Sequence, residues 1–146
     1  MPELPEVHTI TEQLRRNIIG KRVVSVQRND TRMIDSKIKN CINSTIINIS
    51  RRGKAIIISL DRGQSLFIRL GLTGHFYYSS QAQTKREPYQ VARLNFHDFS
   101  TVSFHDTRRF GSLTVLNNKE LQRKLLPFGP EPLEKSFTVK KFAGRL

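Results

Sequence analysis

The sequence predicts an α+β fold, mainly β: an antiparallel β-sandwich with an N-terminal amphipathic helix and a short later helix. Three observations lead there. Apolar residues recur every three or four positions over Leu4 to Ile19, and the middle of the chain shows no such order. Short β-branched runs bounded by turn residues follow one another from Lys21 to Leu116. The 146 residues, 37% of them hydrophobic, suffice for one domain with its own core and no disulfide or metal staple.

Leu4, Val7, Ile10, Leu14 and Ile18 form one face of the predicted helix. Pro5 is tolerated because it lies in the first turn, where its absent N–H costs little. Glu3 and Glu6 suit the positive end, Arg15 and Arg16 the negative end, and Gly20 stops the helix. Lys21 to Asn29 is expected as a strand, with a short helical stretch at Ser36 to Asn40. Thr45 to Ser50 and Ala55 to Leu60 are β-branched strands joined through Arg51-Arg52-Gly53-Lys54. Asp61-Arg62-Gly63 turns the chain into a strand over Ser65 to Leu70, which runs on to Gly71-Leu72-Thr73-Gly74. The polar stretch Gln81 to Pro88 is expected as a loop, Tyr89 to Phe96, Thr101 to Phe104 and Ser112 to Leu116 as strands. A helix over Asn118 to Leu126, capped by Asn117 or Asn118, precedes a stiff Gly129-Pro130-Glu131-Pro132 linker.

A net charge of +13, from 25 Lys and Arg against 12 Asp and Glu, exceeds what solubility needs and suits a polyanion, with nucleic acid the leading candidate. No long apolar run, signal peptide or lipidation motif supports a membrane partner. Cys41 stands alone, which excludes an internal disulfide framework and points to a reducing, cytoplasmic or nucleoid-associated setting rather than secretion. His8, His75, His97 and His105 show no metal-ligand spacing and read as scattered surface or strand residues.

Met1-Pro2-Glu3-Leu4-Pro5-Glu6-Val7 carries the most chemistry for its length. Once Met1 is removed, Pro2 is an N-terminal secondary amine with a pKa near the α-amino range of about 7.7 to 8.0, so part of it is neutral at physiological pH. A neutral amine can attack an electrophilic carbon such as a sugar C1′ and form an imine, with Glu3 moving the protons. Three further segments stand out. Arg51-Arg52-Gly53-Lys54 is either a solvated turn or a phosphate contact. Gly71-Leu72-Thr73-Gly74 reads on its own as a tight turn. Asp106-Thr107-Arg108-Arg109-Phe110-Gly111 is in isolation a structural bulge with a buried Phe110 or a functional loop, on even terms.

Together these segments resemble the formamidopyrimidine-DNA glycosylase and endonuclease VIII family. Pro-Glu-Leu-Pro-Glu-Val resembles the family's start, although His8 stands where a glutamate is usual. By this resemblance Lys54 matches the lysine of an Arg-Arg-x-Lys pattern that contacts phosphate near the lesion. Leu72 takes the place of a methionine that fills the gap left by a flipped nucleotide, and Arg69 that of the family histidine. Asp-Thr-Arg-Arg-Phe-Gly resembles Asp-Pro-Arg-Arg-Phe-Gly, with Thr107 replacing proline; Arg108 would read the orphaned base, Phe110 wedge beside it and Arg109 hold the backbone. Gly129-Pro130-Glu131-Pro132-Leu133 resembles the linker that leaves the family's N-terminal domain.

The resemblance implies a base-excision repair enzyme: a DNA glycosylase removing damaged, oxidised bases, with abasic-site lyase activity through a Pro2 Schiff base. Pro2, Glu3 and Lys54 form the implied catalytic set, and Arg69, Leu72, Arg108, Arg109 and Phe110 the implied DNA-binding set. Only the family's N-terminal domain is matched, so 1–132 is expected as the catalytic domain and 133–146 as linker and the start of a helix-two-turn-helix domain. The family zinc finger would lie outside the chain, and no cofactor or metal is expected within it. The expected partner is double-stranded DNA with a damaged base or abasic site, bound by a monomer, with a separate C-terminal half as a further partner. The alternative reading is a non-catalytic DNA-binding fragment or homologue lacking the second half of the clamp, with Met1 retained on the Pro2 nitrogen.

Overall fold

The computed structural model describes residues 4–83 and 85–126, with the backbone alone at residues 4 and 5. Pro2, Glu3 and the expected linker and following segment lie outside the described residues. In chain order the elements are α1 (Leu4–Ile18), β1 (Val23–Arg28), a 3₁₀ helix (Ser36–Cys41), β2 (Ile46–Arg52), β3 (Ala55–Leu60), β4 (Gln64–Arg69), β5 (Gly74–Ser79), β6 (Gln90–Phe96), β7 (Thr101–Asp106), β8 (Ser112–Asn117) and α2 (Asn118–Leu125).

Two four-stranded sheets, ordered β1-β6-β7-β5 and β2-β3-β4-β8, are antiparallel throughout and form the predicted sandwich. Ile49, Ile56, Ile58, Leu66 and Ile68 from the second sheet meet Leu94, Phe96, Val102 and Phe104 from the first in one buried core. Val7, Leu14 and Ile18 of α1 join it, as their helical spacing predicts. Helix α1 packs on β2 and β5, the edge strands of the two sheets, and so closes one open side of the sandwich. On the other face of the second sheet Leu121 and Leu125 of α2 cover Ile57, Phe67 and Leu116. Asn117 caps α2: its side chain accepts from Glu120 N at 2.8 Å while Glu120 Oε1 accepts from Asn117 N at 2.9 Å.

Helix α1 runs antiparallel to β2, since Arg15 Nη1 donates to Ile49 O at 2.7 Å and Gly20 N to Ile46 O at 2.8 Å. From Arg15 back to Leu4 the helix rises roughly 16 Å at ~1.5 Å per residue. The strand from Ile49 to Arg52 covers only about 10 Å. The helix N-terminus therefore reaches the end of the sandwich where β2 finishes at Arg52.

Strand β5 has no counterpart in the sequence reading. Gly74-His75-Phe76-Tyr77-Tyr78-Ser79 places aromatic rings on both faces, so the apolar alternation that marks a half-buried strand is lost. The histidines are likewise less scattered than expected: His75 and His105 sit opposite each other on β5 and β7, rings stacked at 5.5 Å.

Candidate nucleic-acid interface

The chain crosses between the two sheets at Leu70–Thr73, from β4 to β5, and again at Thr107–Gly111, from β7 to β8. Both crossings lie at the Arg52 end, because Arg69 pairs with Ala55 and Ser112 while Gly74 pairs with Asp106. Two glycines let them touch. A Cβ on Gly71 would stand 2.8 Å from Gly111 N, and one on Gly111 would stand 2.6 Å from Arg69 O, distances that side chains do not tolerate.

Asp106, fully buried at the end of β7, clasps the two loops together. Its Oδ1 accepts from Thr73 Oγ1 at 2.5 Å and from Arg108 N at 3.1 Å, and its Oδ2 accepts from Gly111 N at 3.0 Å. Burial alone would raise its pKa, but the Thr73 hydroxyl and the Gly111, Arg109 and Arg108 N–H groups outweigh it and hold the carboxyl below its ordinary value. The carboxylate therefore stays ionised and turns two loops from different strands into one rigid unit.

Large side chains project outward from this unit. Leu72 is 55% exposed and Phe110 69%, so the bulge reading with a buried Phe110 is set aside. The Arg108 guanidinium lies 5.0 Å from the Phe110 ring centre. Arg109 faces elsewhere: held at φ 57°, a left-handed backbone unusual for a branched or long side chain, it pairs through Nε with Asp30 Oδ2 at 3.1 Å. Arg69 is exposed at the end of β4 and Lys54 half-buried in the β2–β3 turn at the same end. Arg51 and Arg52, in the segment read as either a solvated turn or a phosphate contact, are buried, with Arg51 Nη1 donating to Gly53 O at 3.0 Å.

The fold thus gathers Lys54, Arg69, Leu72, Arg108, Arg109 and Phe110 at one end, toward which the α1 N-terminus also points. Pro2 and Glu3 lie outside the described residues. Sequence reasoning missed Thr73, Asp106 and Asp30 as the groups that hold the loops. Asp106 had a signal, since a carboxylate heading a loop of N–H donors is a common turn anchor; Asp30 had none. No group of His, Cys, Asp or Glu among the described residues is arranged to hold a metal, and no described helix is long and apolar enough to cross a membrane. The arrangement can neutralise phosphates, insert an apolar wedge and stack a ring and a guanidinium against bases.

Residues 1–113 match the model of the formamidopyrimidine-DNA glycosylase N-terminal domain. The chain is 34% identical over 148 residues to the formamidopyrimidine-DNA glycosylase of Protochlamydia amoebophila, covering 97% of this chain and 52% of that protein. It is 35% identical over 142 residues to that of Acinetobacter baylyi, covering 95% and 51%. Among solved structures it is similar to Lactococcus lactis Fpg bound to abasic-site DNA, with a TM-score of 0.79 and 25% identity over 86% of this chain and 48% of that one. The complex of Lactococcus lactis Fpg with FAPY-dG DNA gives a TM-score of 0.79 and 26% identity over the same shares. The chain spans about half the length of the curated relatives it matches. With a family model matched over residues 1–113 and relatives above 30% identity along nearly its whole length, the chain belongs to the formamidopyrimidine-DNA glycosylase family, through that family's N-terminal domain.

Proposed function

We propose that this chain supplies the DNA-opening and catalytic half of a base-excision repair enzyme, a DNA glycosylase with abasic-site lyase activity. The observation that carries the reading is the Asp106 clasp, which holds Leu72, Arg108 and Phe110 on one rigid, outward-facing, cation-rimmed unit. The solved relatives bound to abasic-site or FAPY-dG DNA support damaged duplex DNA as the partner.

A target nucleotide leaves the stack, because its sugar carbon is out of reach in a closed duplex. Leu72 fills the space vacated, and Phe110 and Arg108 stack beside and read the base left unpaired. Lys54 and Arg69 neutralise backbone phosphates, and Arg109, tethered to Asp30, stiffens the loop beside the strand. The Pro2 amine attacks C1′ and displaces the base, Glu3 moves the protons, and the imine that results allows elimination of the strand phosphates. The chemistry draws on the chain's own amine and carboxylate, and we assign it no cofactor. We place the protein in the cytoplasm or on the nucleoid, acting as a monomer, with the remaining half of the DNA clamp supplied from outside these residues.

The test is incision of a duplex carrying one abasic site, with protein whose Pro2 amine is exposed. Strand cleavage that falls steeply with added salt is expected. Binding without incision would overturn the enzymatic reading.

A further inference from the structure

The outer face of the first sheet, away from the core, carries a cavity of about 620 Å³ lined on one side by Gln83, Glu87, Pro88 and Tyr89. That volume suits a ligand of nucleotide size. Its floor is Arg93 of β6, a long cation only 1% exposed. Nη1 donates to Gln83 O, and Nη2 donates to Lys85 O and Gln90 Oε1, each at 2.7 Å. These bonds pin the loop over the sheet, so the cavity is preformed. Among the described residues Arg93 Nε has no hydrogen-bond partner, and it is sealed from the cavity as it is from solvent, so Arg93 closes the floor rather than offering a donor.

The walls add an acceptor and aromatic surface. A main-chain carbonyl can only accept, so Thr73 O, 2.9 Å from His75 Nδ1, fixes that nitrogen as the donor and leaves Nε2 of the neutral ring as an acceptor. By the same reasoning His105 Nδ1 donates to Pro88 O at 3.2 Å, and Ser103 Oγ donates to His105 Nε2 at 2.8 Å. Tyr77 meets both imidazoles edge-on, at 4.9 and 4.8 Å, and its own ring is 58% exposed. Across the mouth stands Tyr89, 57% exposed and held at φ 63°, a strained backbone for an aromatic residue, with its carbonyl accepting from Asp106 N at 3.0 Å. Thr107, next in sequence to Arg108, forms part of the rim, so the cavity opens beside the interface loops.

A ring acceptor and two exposed aromatic faces match a flat heteroaromatic molecule with a hydrogen-bonding edge. Glu87 in the lining balances Arg93 and argues against a bare anion, while the polar floor argues against a purely apolar ligand. We propose that this cavity binds a single unpaired nucleobase, stacked on Tyr77 and Tyr89 and hydrogen-bonded at its edge by His75. The base comes either from a free nucleoside or from an unpaired nucleotide of a DNA strand passing the interface loops. The site is distinct from the Leu72 and Phe110 wedge and stands whether or not the chain excises bases.

The probe is 2-aminopurine, whose fluorescence is quenched by stacking and is excited apart from this tryptophan-free chain. One arm uses the free deoxyriboside, the other a duplex whose single-stranded overhang carries the analogue. Saturable quenching is expected, weakened about tenfold or more by Tyr77→Ala, as loss of a stacking ring implies. Tyr77 is exposed, so the variant folds, and thermal unfolding checks that it does. Quenching in the nucleoside arm assigns a free-ligand site; quenching in the overhang arm alone assigns a strand site. Saturable quenching in neither arm, or quenching removed by Leu72→Ala and untouched by Tyr77→Ala, overturns the proposal.

Discussion

Thr73 Oγ1 donates a 2.5 Å hydrogen bond to Asp106 Oδ1, joining two loops that are separated by more than thirty residues of chain and belong to different sheet crossings. Leu72 precedes the donor, and Arg108 and Phe110 follow the acceptor. Leu72 and the Arg108–Phe110 pair therefore share one anchor, and neither loop can move without straining the other.

Asp106→Asn keeps the shape of that anchor but turns one acceptor oxygen into a donor facing a donor. A loss of about 1–3 kcal/mol in urea unfolding is expected, with poorer discrimination between abasic and intact duplex. The sign with pH follows from the depressed folded pKa of Asp106. Its contribution is fully present above the unfolded value of about 3.9 and is lost as pH falls through the lower folded value. The stability gap between the wild type and Asp106→Asn therefore holds at neutral pH and narrows in strong acid.

Gly111→Ala places a methyl 2.6 Å from Arg69 O and 2.9 Å from Gly71 N, both backbone atoms that cannot swing away. A cost of about 1–3 kcal/mol is expected, as for overpacking elsewhere. Gly20→Ala meets nothing within 4 Å among the described residues and costs only the strain of its φ of +88°, about 1 kcal/mol. Denaturation of the two variants side by side separates crowding from backbone strain.

Leu72→Ala and Phe110→Ala remove exposed side chains and should change stability by less than about 0.5 kcal/mol. Each should weaken binding to abasic-site duplex by about 1–3 kcal/mol, with little effect on intact duplex. Equal losses on both duplexes would show that neither side chain enters the stack.

The neighbouring arginines should separate. Arg108→Ala should lower DNA affinity and leave the melting temperature alone. Arg109→Ala breaks the contact with Asp30 and should cost about 1 kcal/mol or less of stability. Lys54→Ala should reduce the slope of log affinity against log salt by about 0.9 for the one phosphate it releases.

Cys41 is buried, and burial, with the nearby Asp35 charge, pushes its thiol up to about 12. As the single cysteine, it should resist thiol reagents in the folded protein and react only on unfolding, so its labelling rate reports global opening.

The sandwich was legible because its strands carry β-branched runs and α1 a clean helical period, signals that depend on local pattern alone. Strand β5 was not, because Phe76 and Tyr78 pack inward while His75 and Tyr77 line the outer cavity, which blurs the alternation. The interface tips Leu72, Arg108 and Phe110 stood out as motif residues. Their supports did not: Thr73 and Asp106 meet only when two sheet crossings come together, and Asp30 reaches Arg109 from a loop after β1. Arg51 and Arg52 read as turn cations or phosphate contacts, since burial of two cations is set by tertiary packing that no local spacing records.

The most direct measurement is borohydride trapping on duplex DNA carrying one abasic site, with Met1 removed so that the Pro2 amine is free. The proposed chemistry predicts a covalent protein–DNA adduct that disappears when the Pro2 nitrogen is acetylated. Absence of an adduct at low salt, with DNA binding confirmed in the same sample, would contradict it.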